Sequence, residues 1–293
     1  MGKKRIYLRS RKLPEASLED ASGEIRYSMT NDFVFKAVLE RNEDVLIGLL
    51  SSLLHREATS IRSAKVTNPI ILGEQITDKT IIMDVRVNLD NNESLDLEMQ
   101  VIDKGDWRER SVYYLCRDYA DLRKGGNYTD SRSSIHIGFL DFPLFPEDSE
   151  FYATNYLMNA RSHKIYTDKL RLSVVNLTQI ENATEEDRFY KIDRWARLFK
   201  AGTWEEFRMI AEKNQAMLEA GNELYQMSID EVYQEQMERS KINAMFDRAV
   251  IERLKSEARE AKSEAREAKK ERDTLLALLK KNGIDPDQET IES

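Results

Sequence analysis

Two acidic residues, Asp84 and Glu98, stand in the two arms of an alternating segment pair, and their types and spacing suit the holding of a divalent cation. The segments are Lys79-Thr-Ile-Ile-Met-Asp-Val-Arg-Val-Asn88 and Ser94-Leu-Asp-Leu-Glu-Met-Gln-Val-Ile102. Both alternate apolar and polar residues as half-buried strands do, and Asp90-Asn91-Asn92 between them is turn-forming. Ile81, Met83, Val85, Val87, Leu95, Leu97, Met99 and Val101 fall on one face, and Asp84, Asp96, Glu98 and Gln100 on the other. If Asn91-Asn92 alone forms the loop, Leu89 pairs with Ser94, and the two acids face opposite sides. A three-residue loop at 90–92, or one bulge, pairs Leu89 with Glu93 and sets Asp84 opposite Glu98. Residues directly across a ladder lie about 5 Å apart at Cβ. Two carboxylates so placed repel each other unless a cation sits between them. A strand with one wet face carries the same alternation without any site, so the pattern leaves both readings open.

The elements that must position these acids can be read around them. Thr30, Asn31 and Asp32 offer caps for a helix through Lys36, with Asp32 either a cap or an additional acid. Lys36, one turn further, is either a solvated lysine or a phosphate contact. A second apolar helix covers Val45–Leu54, and a short strand follows around 61–66, ahead of the hairpin. A helix over about 106–124 carries Arg110 and Tyr114, which are i, i+4 and share a face, before Gly125-Gly126-Asn127 stops it. Arg110 has the planar fork that grips a phosphate bidentately. Asp96, on the wet face with Glu98, reads as a surface carboxylate or a support for it. Ser134–Leu140 is a buried strand, and Phe151–Met158 and Leu170–Leu177 are two more.

Helices follow over 185–199 and 204–218, then a long one from about Ser228 to Lys281. Within it Ser256-Glu-Ala-Arg-Glu-Ala-Lys262 repeats unchanged at 263–269, and a 3,4 spacing runs from Ile251 through Leu254, Ala258 and onward to Leu279. With Ile251 at position a, Glu257 and Glu264 fall at g and Lys262 and Lys269 at e, the pairing of a parallel two-stranded coiled coil over 250–281. Its alanine-rich seam, with Arg272 at one position, buries little area, and a solvated single helix is the alternative.

The 293-residue chain has net charge −8, which weighs against bulk, nonspecific attraction to nucleic acid but not against a local basic channel. No apolar run approaches a membrane span, and one cysteine, Cys116, rules out an internal disulfide framework. A reducing cytoplasm is the expected compartment, and the apolar neighbours of Cys116 suggest a buried thiol. His55, His136 and His163 match no zinc spacing and read as structural or surface residues. Six basic residues and no acid among residues 1–12 suggest a mobile arm. The expected organisation is an N-terminal arm (1–28), a main domain (29–200), a helical extension (201–249), the coiled coil (250–281) and a tail (282–293).

Five short motifs in order carry a resemblance. They are Thr30-Asn-Asp-Phe-Val-Phe-Lys36, Asp84-Val85, Leu97-Glu-Met-Gln100, Arg110-Ser-Val-Tyr-Tyr114, and Lys124-Gly-Gly-Asn-Tyr128 leading to Ile137-Gly-Phe-Leu-Asp141. Over roughly residues 30–200 the chain resembles the PD-(D/E)XK nuclease superfamily, and more closely its recombination-promoting nuclease/transposase family. The resemblance implies a restriction-endonuclease-like mixed α/β sheet flanked by helices, here with a helical C-terminal extension and coiled-coil tail. It implies hydrolysis of DNA phosphodiesters with Mg²⁺, or Mn²⁺ in its place. Asp84 and Glu98 would then be the catalytic acids and metal ligands, with the Met99 carbonyl as a further ligand. Gln100 occupies the place where the superfamily's lysine usually sits, and an amide can orient a water but cannot take up a proton. Asp32, Lys36, Arg110 and Tyr114 would face the substrate. A catalytically inert module working through its coiled coil, or a nuclease effector of toxin or phage-defence type, are the alternatives.

Overall fold

The structure is a computed structural model that describes residues 6–68, 70–72, 84–89, 93–120, 127–145, 147 and 149–282. The expected hairpin residues 79–83 and its loop 90–92 lie outside these, as do Gly125-Gly126.

Two helices come first, α1 (Asp32–Arg41) and α2 (Glu43–Leu54). Asn31 caps α1, its side chain accepting from the Val34 N–H, and Asn42 both ends α1 and caps α2. Every residue of α1 from Phe33 to Glu40 is buried. The strands are β1 (Ile6–Tyr7), β2 (Ala64–Val66), β3 (Ile71–Leu72), β4 (Val85–Leu89), β5 (Glu93–Gln100), β6 (Ser133–Leu140), β7 (Tyr152–Met158) and β8 (Ile165–Asn176). β1 and β3 form a small ribbon of their own, and the main sheet has the order β2-β4-β5-β6-β8-β7. Its β5–β6 and β6–β8 pairs are parallel and the rest antiparallel. Helix α3 (Trp107–Tyr119) makes the crossover between β5 and β6. This is the mixed, helix-flanked sheet of the restriction-endonuclease-like fold.

The β4–β5 ladder runs Val85↔Leu97, Arg86↔Asp96, Val87↔Leu95 and Asn88↔Ser94. That is the register of a three-residue loop; it ends at Val85↔Leu97, and Asp84 stands one residue before β4 as Glu98 stands one residue after Leu97 on β5. Val85, Val87, Leu95, Leu97 and Met99 are buried in the main core beneath α1 and α2. The opposite face is covered by α3, whose Trp107 packs with Leu140 and Val174. A Cβ on Gly138 would meet the Trp107 ring at 2.1 Å, so only glycine lets the indole seat on β6. Asp118 ties the far end of α3 to the same face, accepting hydrogen bonds from the Ser94 and Ser134 hydroxyls.

Some expectations need correction. Residues 6–28 are not a free arm: Leu8, Leu13, Leu18 and Ala21 are core residues, and Arg11 bridges to Asp230 at 2.9 Å. Cys116 is exposed, because α3 packs through Trp107, Ser111 and Leu115 and turns the thiol outward. β8 starts at Ile165, five residues before the expected strand. The expected helix 185–199 is broken into α4 (Glu185–Phe189) and α5 (Ile192–Lys200) at Lys191, whose φ is 63°. The next is broken into α6 (Trp204–Ala211) and α7 (Gln215–Ser228), with Lys213 at φ 62° between them.

Helix α8 (Glu231–Lys281) closes the fold. The chain divides into two compact units, Met1–Ile242 and Asn243–Ser293. In the first, Tyr233, Met237 and Ser240 of α8 are buried. The second is a single helix over its described residues, exposed along nearly all its length. No helix among the described residues is long and apolar enough to cross a membrane.

Candidate active site

The polar face of the β4–β5–β6 sheet collects Asp84, Arg86, Asp96, Glu98, Gln100 and His136. Period-2 alternation puts Asp96, Glu98 and Gln100 on one side of β5. The parallel register then brings His136 level with Asp96 and Gly138 level with Glu98. Asp84 stands just before β4, its Oδ2 accepting from Arg86 Nε at 2.8 Å and its backbone carbonyl from Asn68 Nδ2 at 3.0 Å.

Helix α3 delivers Arg110 to this face. Its Nη2 donates to Glu98 Oε1 at 2.7 Å and to Gln100 Oε1 at 2.6 Å. The guanidinium lies 5.5 Å from the Trp107 ring centroid, the same indole that seats on Gly138. Gln100 is committed at both ends of its amide, since Nε2 donates to the Ile102 carbonyl at 2.9 Å.

His136 is fully buried, with Nδ1 3.5 Å from Asp96 Oδ2 and Nε2 3.8 Å from Glu98 Oε2. Among the described residues neither ring nitrogen makes a hydrogen bond, and Asp96 Oδ1 has none either. Trp107 and Tyr114 flank the imidazole at 5.5 and 6.5 Å.

The electrostatics follow from burial. Desolvation pushes the Glu98 carboxyl up, opposed by Arg110 and His136 and reinforced by the charges of Asp96 and Asp84. Burial likewise raises Asp96, with His136 opposing. Lys36 is fully buried and is pulled down to about 8 by desolvation, against the pull of the Asp84 and Glu40 carboxylates. It is not a solvated lysine. Asp32 is buried too, and its carboxyl is raised by that burial although it accepts from the Ser240 hydroxyl and the Phe33 N–H.

A family profile described as PD-(D/E)XK nuclease family transposase matches residues 29–254. The chain belongs to this family. Neither the curated proteins nor the solved structures contain a match to it. The family match runs well past residue 200, where the sequence motifs end, and takes in α6, α7 and the first half of α8.

Of the residues expected at a PD-(D/E)XK site, the fold gathers Asp84, Glu98, Gln100 and Arg110 on one face, and turns the Met99 side chain into the core on the other. Arg110 reaches site side chains where a phosphate contact was expected. Tyr114 packs towards His136. Asp32 and Lys36 sit inside α1, under the root of α8 and beside Asp84 respectively. Asp96 is not a surface carboxylate, since it is 8% exposed. His136 was missed as a site neighbour. The signal was present in β6, where Ser134, His136 and Gly138 alternate with Ile135, Ile137 and Phe139. What one strand cannot tell is which face its neighbour's acids occupy.

Proposed function

We propose that this chain is a Mg²⁺-dependent endonuclease that hydrolyses DNA phosphodiesters, using Asp84 and Glu98 as its essential acids. The observation that supports the reading is the β4–β5 ladder, whose last pair, Val85↔Leu97, lies one step from Asp84 and Glu98, together with Arg110, which holds the Glu98 carboxylate from α3. The donor set fits a hard cation: two carboxylates, with the Met99 carbonyl, offer only oxygen, and Mg²⁺ needs one or two carboxylates besides water and phosphate. Burial first, then the charges of Asp96 and Asp84, raise the Glu98 carboxyl against the pull of Arg110 and His136, and a cation beside it would offset both. When bound, the cation would polarise the phosphate and lower the pKa of the attacking water.

The chain's own residues do the rest by position and charge. Arg110 holds Glu98 and Gln100 with one nitrogen, which both side chains' Oε1 atoms accept from. Gln100, with both ends of its amide engaged, acts as a spacer and carries no proton. Lys36, buried near Asp84, supplies positive charge behind the first acid. Two such sites in a dimer joined through residues 250–281 would suit cutting both strands of a duplex.

The test is nicking of supercoiled plasmid in Mg²⁺ or Mn²⁺ by the full chain and by Asp84→Ala and Glu98→Ala. Metal-dependent cutting that both substitutions abolish is the expected result. No cutting in either metal, or equal cutting by the variants, would sink the proposal and favour an inert module.

A further inference from the structure

The last two strands run on past the rest of the sheet. β6 pairs with β8 from Ser134↔Leu170 to Leu140↔Asn176. Residues 165–169 of β8 therefore have only β7 beside them among the described residues, through Leu157↔Thr167 and Met158↔Ile165. The result is a two-stranded ribbon. Its turn is closed by Asn159, whose Oδ1 accepts from the Arg161 and Ser162 N–H groups at 3.0 and 2.9 Å, and His163 takes the left-handed conformation, φ 53°. Its base is braced by Lys169, whose Nζ donates to the carbonyls of Thr129 and Ser131 at 2.7 and 2.9 Å.

This ribbon is apolar where it covers nothing. Leu157 is 52% exposed, Met158 44%, Ile165 48% and Tyr166 83%. Met158 and Ile165 pair across the ladder and share a face, Leu157 takes the other, and Tyr166 is the extra residue where the ladder slips by one. From Leu157 to Thr167 there are two cations, Arg161 and Lys164, and no carboxylate, in a chain whose net charge is −8; the ribbon's one acid, Asp168, is exposed at its base. Both cations are exposed, and neither makes an ion pair among the described residues.

We infer that the β7–β8 ribbon is an arm that lies in a groove of duplex DNA flanking the cut, an inference that rests on DNA being the substrate. The major groove of B-DNA admits a two-stranded ribbon and shows apolar side chains the base edges, thymine methyls among them, between charged rims. Arg161 and Lys164 at the turn meet phosphates on its rims, while Tyr166 and Met158 meet base edges. A partner protein packed on one face would leave the other face wet and would not call for an acid-free turn. The sheet also sets the reach. Glu98 is level with Gly138 and, through it, with Val174, nine residues from Ile165. At the rise of a strand the ribbon begins about 30 Å from the acids. That is about nine base pairs of B-form duplex.

The experiment measures anisotropy of a labelled duplex of about 40 base pairs, long enough to reach past the arm. The protein is the full chain with Glu98→Gln in Mg²⁺, with and without Arg161→Ala/Lys164→Ala/Tyr166→Ser. The expected result is a dissociation constant raised on the order of thirtyfold and a log–log salt slope reduced by about two. A duplex reaching only about five base pairs from the cut should bind the two proteins equally. Lys164→Glu, on the exposed turn, should give the same direction of change with an unaltered melting curve. Equal affinity and equal slope for parent and variant would overturn the arm while leaving the nuclease reading intact. Loss of a dimer in sedimentation with DNA affinity unchanged would also overturn it, making the ribbon an interface between copies. A parent that binds no duplex would remove the DNA reading itself, and the arm with it.

Discussion

Arg110 is the residue on which the site's geometry turns, because one of its nitrogens serves both Glu98 and Gln100. This makes the glutamine specific to its surroundings. Restoring a lysine by Gln100→Lys would set an ammonium where the amide oxygen now lies 2.6 Å from a guanidinium. Turnover in the plasmid assay should fall by about tenfold to a hundredfold, the worth of one charge-assisted hydrogen bond turned into repulsion. A gain in turnover would show that Gln100 is a defect and not a fitted part. Lys36 gives a second test at the same scale. Its amine titrates near 8 in the fold against an ordinary 10.5, so the folded state releases its proton first. Stability from this group is present above about pH 10.5 and is lost as pH falls through 8. Urea unfolding of the parent should therefore gain about 3 kcal/mol relative to Lys36→Met between about pH 7 and pH 10.5. Parallel pH profiles for the two proteins would place Lys36 in water.

At the scale of elements, Gly138 joins the sheet to the helix that carries Arg110. Gly138→Ala would drive a methyl into Trp107, which stands 2.1 Å from the Cβ position, and overpacking of this kind costs about 1–3 kcal/mol. The thermal midpoint should drop by several degrees. Activity should fall further than stability, since lifting Trp107 moves Arg110 away from Glu98. A variant that melts early but cuts normally would uncouple α3 from the site. The two strands were legible from their alternation but their register was not, since a two-residue loop and a three-residue loop both fitted the sequence; the ladder from Val85↔Leu97 to Asn88↔Ser94 is that of the longer loop. The buried state of Lys36 was legible too, and was misjudged: Phe33, Val34, Phe35, Ala37, Val38 and Leu39 surround it, and a helix apolar all round is buried all round. The breaks at Lys191 and Lys213 were not legible, as lysine carries no preference for a positive φ and only the packing of α5 and α6 imposes it. Nor was the meeting of His136 with Asp96, 40 residues apart in the chain, which depends on the parallel register of β5 and β6 and on α3, held to the sheet at Gly138 and Ser94.

For the whole molecule the question is what the long helix contributes, and its two parts answer differently. The root is structural: Tyr233 is fully buried, its hydroxyl donates to the Leu8 carbonyl at 3.0 Å and accepts from Arg41 Nη1 at 3.0 Å, and Ser240 reaches Asp32. Residues from Asn243 onward belong to a separate compact unit, with Leu254, Leu275 and Leu278 more than half exposed. Removing residues 250–293 should therefore leave the melting midpoint of the body within a few degrees, whereas Tyr233→Ala should cost about 3–5 kcal/mol, as loss of a buried aromatic does. We propose that the removed segment pairs with its copy. Within one chain Arg253 already holds Glu257 at 2.7 Å, an i, i+4 contact worth only a few tenths of a kcal/mol, so Glu257 is available to Lys262 of a parallel neighbour at little expense. The alanine seam buries little area, so such a pairing would be weak. Sedimentation should find the full chain dimerising with concentration and the shortened chain monomeric throughout. Plasmid cut by the shortened chain should accumulate as nicked circles, while the full chain proceeds to linear product. A shortened chain that linearises plasmid as fast as the full one would separate the helix from cleavage altogether.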